Sequence, residues 1–230
     1  MKKIIQVIVF ISISNFAFAQ TKLKEGMAEF DISYPALTPE MKKMESMLPK
    51  SLTVYFKNEL SRIEMPMAAG TTTTLSNNSK KEVTIMMDMM GKKFAMKQTE
   101  ADIIKKEAEL KKSGQYPTFK VTPSTETKLI AGYKCKKAVV SYIMSGKTER
   151  MDCFYTEELP KMNASGDNPA FKNINGFLME YNISQSGMKM KIVAKNVKAK
   201  TVSDNLFKVP SDYKFMTQEE ISEMMMGGKE

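Results

Sequence analysis

The chain has 230 residues, a formal charge of +9, two cysteines, no histidine and no tryptophan. A chain without imidazole lacks the usual general base, most zinc sites and the Ser–His nucleophile pair, which argues against an enzyme. Three readings compete for this basic balance: plain solubility, an anionic lipid or envelope surface, and nucleic acid. Lysines that alternate with apolar residues, as at Lys189 and Lys191 and again at Lys195, describe a solvated strand face and favour the first, with nucleic acid the least favoured.

The first nineteen residues read as an export address. Lys2 and Lys3 open it, Ile4 to Ile13 form a short apolar run, and Ala17-Phe18-Ala19 gives the small-x-small cleavage pattern, so the mature chain is expected to begin at Gln20. No cysteine follows that position, which argues against a lipid anchor. No later stretch approaches the roughly 20 apolar residues of a membrane helix. The expected compartment is the periplasm of a Gram-negative bacterium. The rest suits one domain over 20–216, with a short helix and frayed tail over 217–230.

Glu25 to Tyr34 alternates, with Ala28, Phe30, Ile32 and Tyr34 on one face, and predicts a half-buried strand ended by Pro35. Thr38 to Leu48 changes period. Thr38 caps it, Pro39 suits the first turn, and Met41, Met44, Met47 and Leu48 share one side of a short amphipathic helix. From Ser51 to Lys97 the chain reads as a meander with strands at Leu52–Lys57, Leu60–Met65, Thr71–Leu75, Val83–Met87 and Lys92–Lys97. Thr99 to Lys112 predicts a second helix, acidic in its first turn, basic in its last, and stopped by Gly114.

Lys128 to Tyr155 predicts two long antiparallel strands around a tight turn at Ser145-Gly146. It carries both cysteines. In an exported chain Cys135 and Cys153 are expected to meet across a small bulge as a disulfide, the alternative being two buried thiols. Glu157 to Pro169 reads as a polar, mobile loop. Phe177 to Gln185 and Met188 to Lys200 form a second hairpin across Ser186-Gly187. Leu206 to Phe215 is extended, and Thr217 with Glu220 signals a capping box for a last helix.

The remaining chemistry is sparse. No Gly-rich phosphate loop is present, no base stands ready for a cysteine nucleophile, and Glu157-Glu158 reads as solvated surface charge, so neither catalysis nor a cofactor is expected. Methionine is abundant, 22 residues, with runs at Met86-Met87-Asp88-Met89-Met90 and Met224-Met225-Met226. Three readings stand: core packing, the lining of an apolar site, and soft thioether ligands for Cu(I). Neighbours on a strand point to opposite faces, which works against the third.

Ile130-Ala131-Gly132-Tyr133-Lys134-Cys135-Lys136-Lys137-Ala138 resembles the I-x-G-Y-x-C-x-K-A segment of exported Bacteroidetes-type domains of unknown function, including the GLPGLI family. Asn173 to Leu178 occupies the place of that family's naming motif, and Leu206 to Tyr213 is similar to its C-terminal end. The resemblance implies a periplasmic protein without an assigned activity. The order of strands and inserted helices is also similar to the lipoprotein-carrier (LolA/LolB-like) fold.

The expected fold class is therefore mainly β (α+β): one curved antiparallel sheet or half-barrel, with short helices over its concave face. The leading expectation for function is a non-catalytic carrier of a lipid or other hydrophobic ligand, with Phe30, Ile32, Met41, Met44, Ile85, Met87, Met190 and Ile192 lining the groove. The alternatives are an envelope interaction protein with a filled core and a Met-based Cu(I) protein.

Overall fold

The computed structural model describes residues 22–144, 147–161, 169–185 and 188–226. The export segment, the turns Ser145-Gly146 and Ser186-Gly187, the loop 162–168 and the tail from Gly227 lie outside the described residues.

Strict alternation of buried and half-buried positions, as in β2 (Ser51–Lys57), makes each strand two-faced and forces it into a sheet. One twelve-stranded sheet results, in the order β12-β6-β5-β4-β3-β2-β1-β11-β10-β9-β8-β7. Its strands are β1 (Glu25–Ala36), β2, β3 (Leu60–Met67), β4 (Gly70–Asn77), β5 (Glu82–Met89), β6 (Lys92–Gln98), β7 (Lys120–Ile130), β8 (Tyr133–Met144), β9 (Lys147–Thr156), β10 (Phe177–Gln185), β11 (Met188–Ala199) and β12 (Lys214–Phe215). Every neighbouring pair is antiparallel except β12 with β6, which is parallel. The sheet is open and curved, of the expected class, and the meander from β2 to β6 stands where turn chemistry put it.

Two rims follow from the register. The lower rim carries the turns at 58–59, 78–81 and 131–132 and the β9–β10 connection. The upper rim carries the turns at 68–69 and 90–91, the end of β8, and α1 (Pro39–Lys43) with the 3-10 turn Glu45–Met47. Helix α2 (Glu100–Lys112) leaves the lower rim at β6 and delivers the chain to the upper rim at β7, so it crosses between the two sides of the curved sheet. A capping box starts it: Thr99 Oγ1 accepts from the Asp102 N–H, and Asp102 accepts from the Thr99 N–H at 2.8 Å. The box that starts α3 (Gln218–Met226) pairs Thr217 and Glu220 in the same way.

Several expectations are corrected. Lys128–Met144 is not one strand. Ala131 and Gly132 both have positive φ, 48° and 86°, and make a two-residue turn between β7 and β8. The strand β7 is additional, polar and mostly exposed, with a bulge between Pro123 and Thr127. The first strand runs on through Pro35 to Ala36. The segment from Leu206 is not extended throughout: a 3-10 turn, Asp204–Phe207, precedes β12. Lys57 holds that turn through Asp204 at 2.6 Å, and Val209 and Tyr213 pack on Leu75, Met86 and Ala95.

The disulfide is absent: Cys135 and Cys153 are buried free thiols. Cys153 lies opposite Ala138, three residues along β8 from Cys135. That is about 10 Å of strand, and an odd offset in a side-chain period of two. A disulfide needs Cα atoms within roughly 7 Å.

Candidate functional site

The concave face is built row by row. Across one side, Val54 faces Ile63, Ile63 faces Thr74, Thr74 faces Ile85, and Ile85 faces Met96. Nearer the upper rim, Met65, Thr72, Met87 and Phe94 form the next row. Across the other side, Ile32, Ile192, Tyr181, Cys153 and Ala138 make one row, with Met190 opposite Ile183 and Val140 opposite Met151 closer to the rim.

The middle of this face is filled. Phe177 stacks on Phe30 at 6.2 Å between centroids and meets Phe56 edge-on at 5.6 Å. The β9–β10 connection folds back over the lower half, burying Leu159, Ala170, Phe171 and Ile174, and Phe171 meets Tyr181 edge-on at 5.5 Å. This connection, read from its polar residues as a mobile loop, supplies core on both sides of 162–168. Neither α1 nor α2 has a buried residue. The inner side of α2 rests only half-buried, through Ile103, Glu107 and Leu110, and Glu107 pairs with Lys172 at 3.8 Å.

The expected lining residues therefore separate into three places. Phe30, Ile32, Met190 and Ile192 are 1%, 7%, 7% and 3% exposed, packed into the core instead of facing a groove. Ile85 and Met87 are half-buried on the open side of the concave face. Met41 is half-buried and Met44 is 55% exposed on the upper rim, so the methionine face of α1 has no buried residue.

A cavity of about 410 Å³ opens near the upper rim between β8, β9, β10 and the end of β1. Tyr142, Met151, Ile183 and Pro35 are its apolar wall, and Arg150, Lys189, Glu149, Asn182 and Ser184 its polar margin. Tyr142, Met151 and Ile183 share the face of the buried Val140 and Tyr181, so this wall continues the core. The Tyr142 ring packs on Phe119 at 5.3 Å. None of these residues was anticipated, although the alternation Ala138, Val140, Tyr142 carried the signal. A second cavity, about 610 Å³, lies between the end of β6, α2 and α3, with a charged lining that includes Lys105, Lys106, Asp102 and Glu220.

On the opposite face of the sheet, Glu180 accepts from Lys128 at 2.5 Å and Lys191 at 2.9 Å. Burial pushes its carboxyl pKa up, but the two lysine hydrogen bonds outweigh this and hold it below the ordinary glutamate value. Burial pushes both the Cys135 and the Cys153 thiol up to about 11, so neither supplies thiolate near neutral pH. Met86 points into the convex-side cluster with Leu75 and Ala95, while Met87 faces the other way and Met90 stands 90% exposed, so this methionine run does not converge on one point. Among the described residues no group of three His, Cys, Asp or Glu side chains is placed to hold a metal, and no helix is long and apolar enough to cross a membrane.

The family described as "Domain of unknown function (DUF4412)" matches residues 38–213. No curated protein matches the chain. Among solved structures, an uncharacterized conserved protein from Thermus thermophilus is similar at 10% identity and a TM-score of 0.47, over 86% of this chain and 95% of its own. A beta-barrel-like protein of the DUF1849 family from Brucella abortus is similar at 9% identity and 0.39, over 79% and 100%. LprF from Mycobacterium bovis is similar at 14% identity and 0.30, over 80% and 90%. All three likenesses are loose.

Proposed function

The chain belongs to the DUF4412 family, a domain of unknown function, and from that premise we propose that it is a non-catalytic binding module for a lipid or another apolar molecule with an anionic end. The observation that carries this reading is the 410 Å³ cavity, with an apolar wall of Tyr142, Met151 and Ile183 and with Arg150 and Lys189 at its margin. Its size falls within the roughly 300–1,000 Å³ of small-molecule sites. An acyl chain suits the wall, and a carboxylate or phosphate suits the two cations, which have no ion pair among the described residues. The cargo site lies at the upper rim rather than along the middle of the sheet, where aromatic packing leaves no room. The export segment and the GLPGLI-like resemblance favour the periplasm as the place of action. The lack of histidine and the two protonated thiols favour binding over bond-making.

A second reading, an interaction protein of the envelope, draws on the filled centre around Phe30, Phe56 and Phe177. Native mass spectrometry and displacement of a fluorescent fatty acid separate the two. The carrier reading expects bound probe, about tenfold weaker binding (~1.4 kcal/mol) in Ile183→Trp, and loss of preference for an anionic probe in a doubly substituted Arg150→Gln, Lys189→Gln protein. If no lipid co-purifies and no apolar probe binds, the interaction reading replaces it.

A further inference from the structure

We infer that the upper rim docks on an anionic bilayer surface. The inference deepens the binding reading, on which it rests for the cargo, because the cavity opens at this rim. Its apolar tips and its cations other than Arg150 and Lys189 are separate from the cargo site.

The first observation is an asymmetry between the two ends of the sheet. Lower-rim turns present Asn58-Glu59, Ser79-Lys80 and Ala131-Gly132, polar or small residues with no large apolar tip. The upper rim differs. Met90 is 90% exposed, Ile143 64%, Met47 57% and Met44 55%, and Ala68 and Ala69 top the β3–β4 turn. These residues come from four separate parts of the chain and share one end only because the meander brings them there. Met90 also has φ 53°, a left-handed conformation that suits Asn or Gly and disfavours a long side chain. Folding gains nothing internal from a methionine there.

The second observation is charge. Lys42, Lys43, Lys50, Lys92, Arg150 and Lys189 stand exposed at this end with no ion pair among the described residues. Glu40, Glu45 and Glu149 are exposed carboxylates beside them, and Asp212 is a fourth, paired with Lys93. Other lysines are matched, Lys57 with Asp204, Lys97 with Glu82 and Lys137 with Asp152, and at this end Lys93 with Asp212. Lys24, Lys80, Lys134 and Lys200 toward the lower rim also have no ion pair among the described residues, so it is the combination with apolar tips that sets the upper rim apart. Separate apolar points among free cations match an interfacial contact, in which side chains enter the headgroup region and lysines meet anionic lipid. A folded protein partner would favour one contiguous apolar patch, whereas a fluid surface accepts points spaced around a rim.

The test is flotation of the full chain with vesicles of phosphatidylcholine, with and without phosphatidylglycerol. Binding is expected with the anionic lipid and is expected to fall as salt rises. Met90→Asp and Ile143→Asp should each weaken it roughly tenfold, the loss of one apolar insertion. Leu129→Asp should leave it unchanged, since Leu129 is 73% exposed but lies by the lower rim. No vesicle binding, insensitivity to both rim variants, or an equal loss from Leu129→Asp would overturn the inference. So would self-association that Met90→Asp abolishes without any vesicle binding. Ile183→Trp should spare docking while blocking the fatty-acid probe, so docking without probe binding refutes only the cargo.

Discussion

Phe177→Ala tests whether the concave side is filled by the protein's own side chains. Phe177 is fully buried, stacks on Phe30 and meets Phe56 edge-on. Its neighbours Leu178 and Met179 are also at or below 1% exposure, so the site has little freedom to collapse after truncation. The ring therefore leaves a cavity, and the cost is about 3–5 kcal/mol. Against a total stability of roughly 5–15 kcal/mol this is a large fraction. For a chain of this size it lowers Tm by roughly 6–20 °C. Urea unfolding followed by circular dichroism measures it, with the midpoint expected to fall and the slope to stay unchanged. Phe177→Leu, which keeps part of the volume, should lose less. A cost below about 1 kcal/mol for the alanine variant, together with stronger binding of an apolar probe, would mean that Phe177 faces an open groove and that the filled-centre description is wrong.

Glu180 predicts a pH dependence. Its folded-state pKa is depressed, so the stability it contributes is present above the ordinary glutamate range and is lost as pH falls through the folded value. Urea midpoints taken from neutral pH downward should show this loss, and Glu180→Gln should flatten the slope; an unchanged slope would refute the pairing with Lys128 and Lys191. The cysteines predict redox indifference. Thiol titration in denaturant should find two free thiols, reductant should leave Tm unchanged, and the folded protein should react slowly until pH nears 11. A fall in Tm on adding dithiothreitol would show a bond that the β8–β9 register does not allow.

Local signals carried much of the fold. The strands from β2 to β6 are legible because each alternates and each break holds turn residues. The capping boxes at Thr99 and Thr217 are legible because both partners lie three residues apart. The strand β7 was missed because Thr122-Pro123-Ser124-Thr125-Glu126 has no apolar alternation. It is an edge strand, where proline and exposure are tolerated, and its pairing with β8 supplies what its own residues do not. The α1 methionines show the opposite limit. Their spacing gives a helix with one apolar side, but periodicity does not say whether anything lies against it.

Alternation and turn chemistry, acting between near neighbours, determined by themselves that this chain makes antiparallel hairpins and a curved sheet. Only the tertiary structure decided what occupies the concave side. Leu159, Phe171 and Ile174 reach Tyr181 and the aromatic centre through contacts whose partners no local pattern names. The offset that keeps Cys135 from Cys153, the cavity at the upper ends of β8, β9 and β10, and the gathering of apolar tips on one rim likewise depend on register and strand order. Those are properties of how distant segments pair, and a one-residue change in pairing would turn every one of these side chains to the other face.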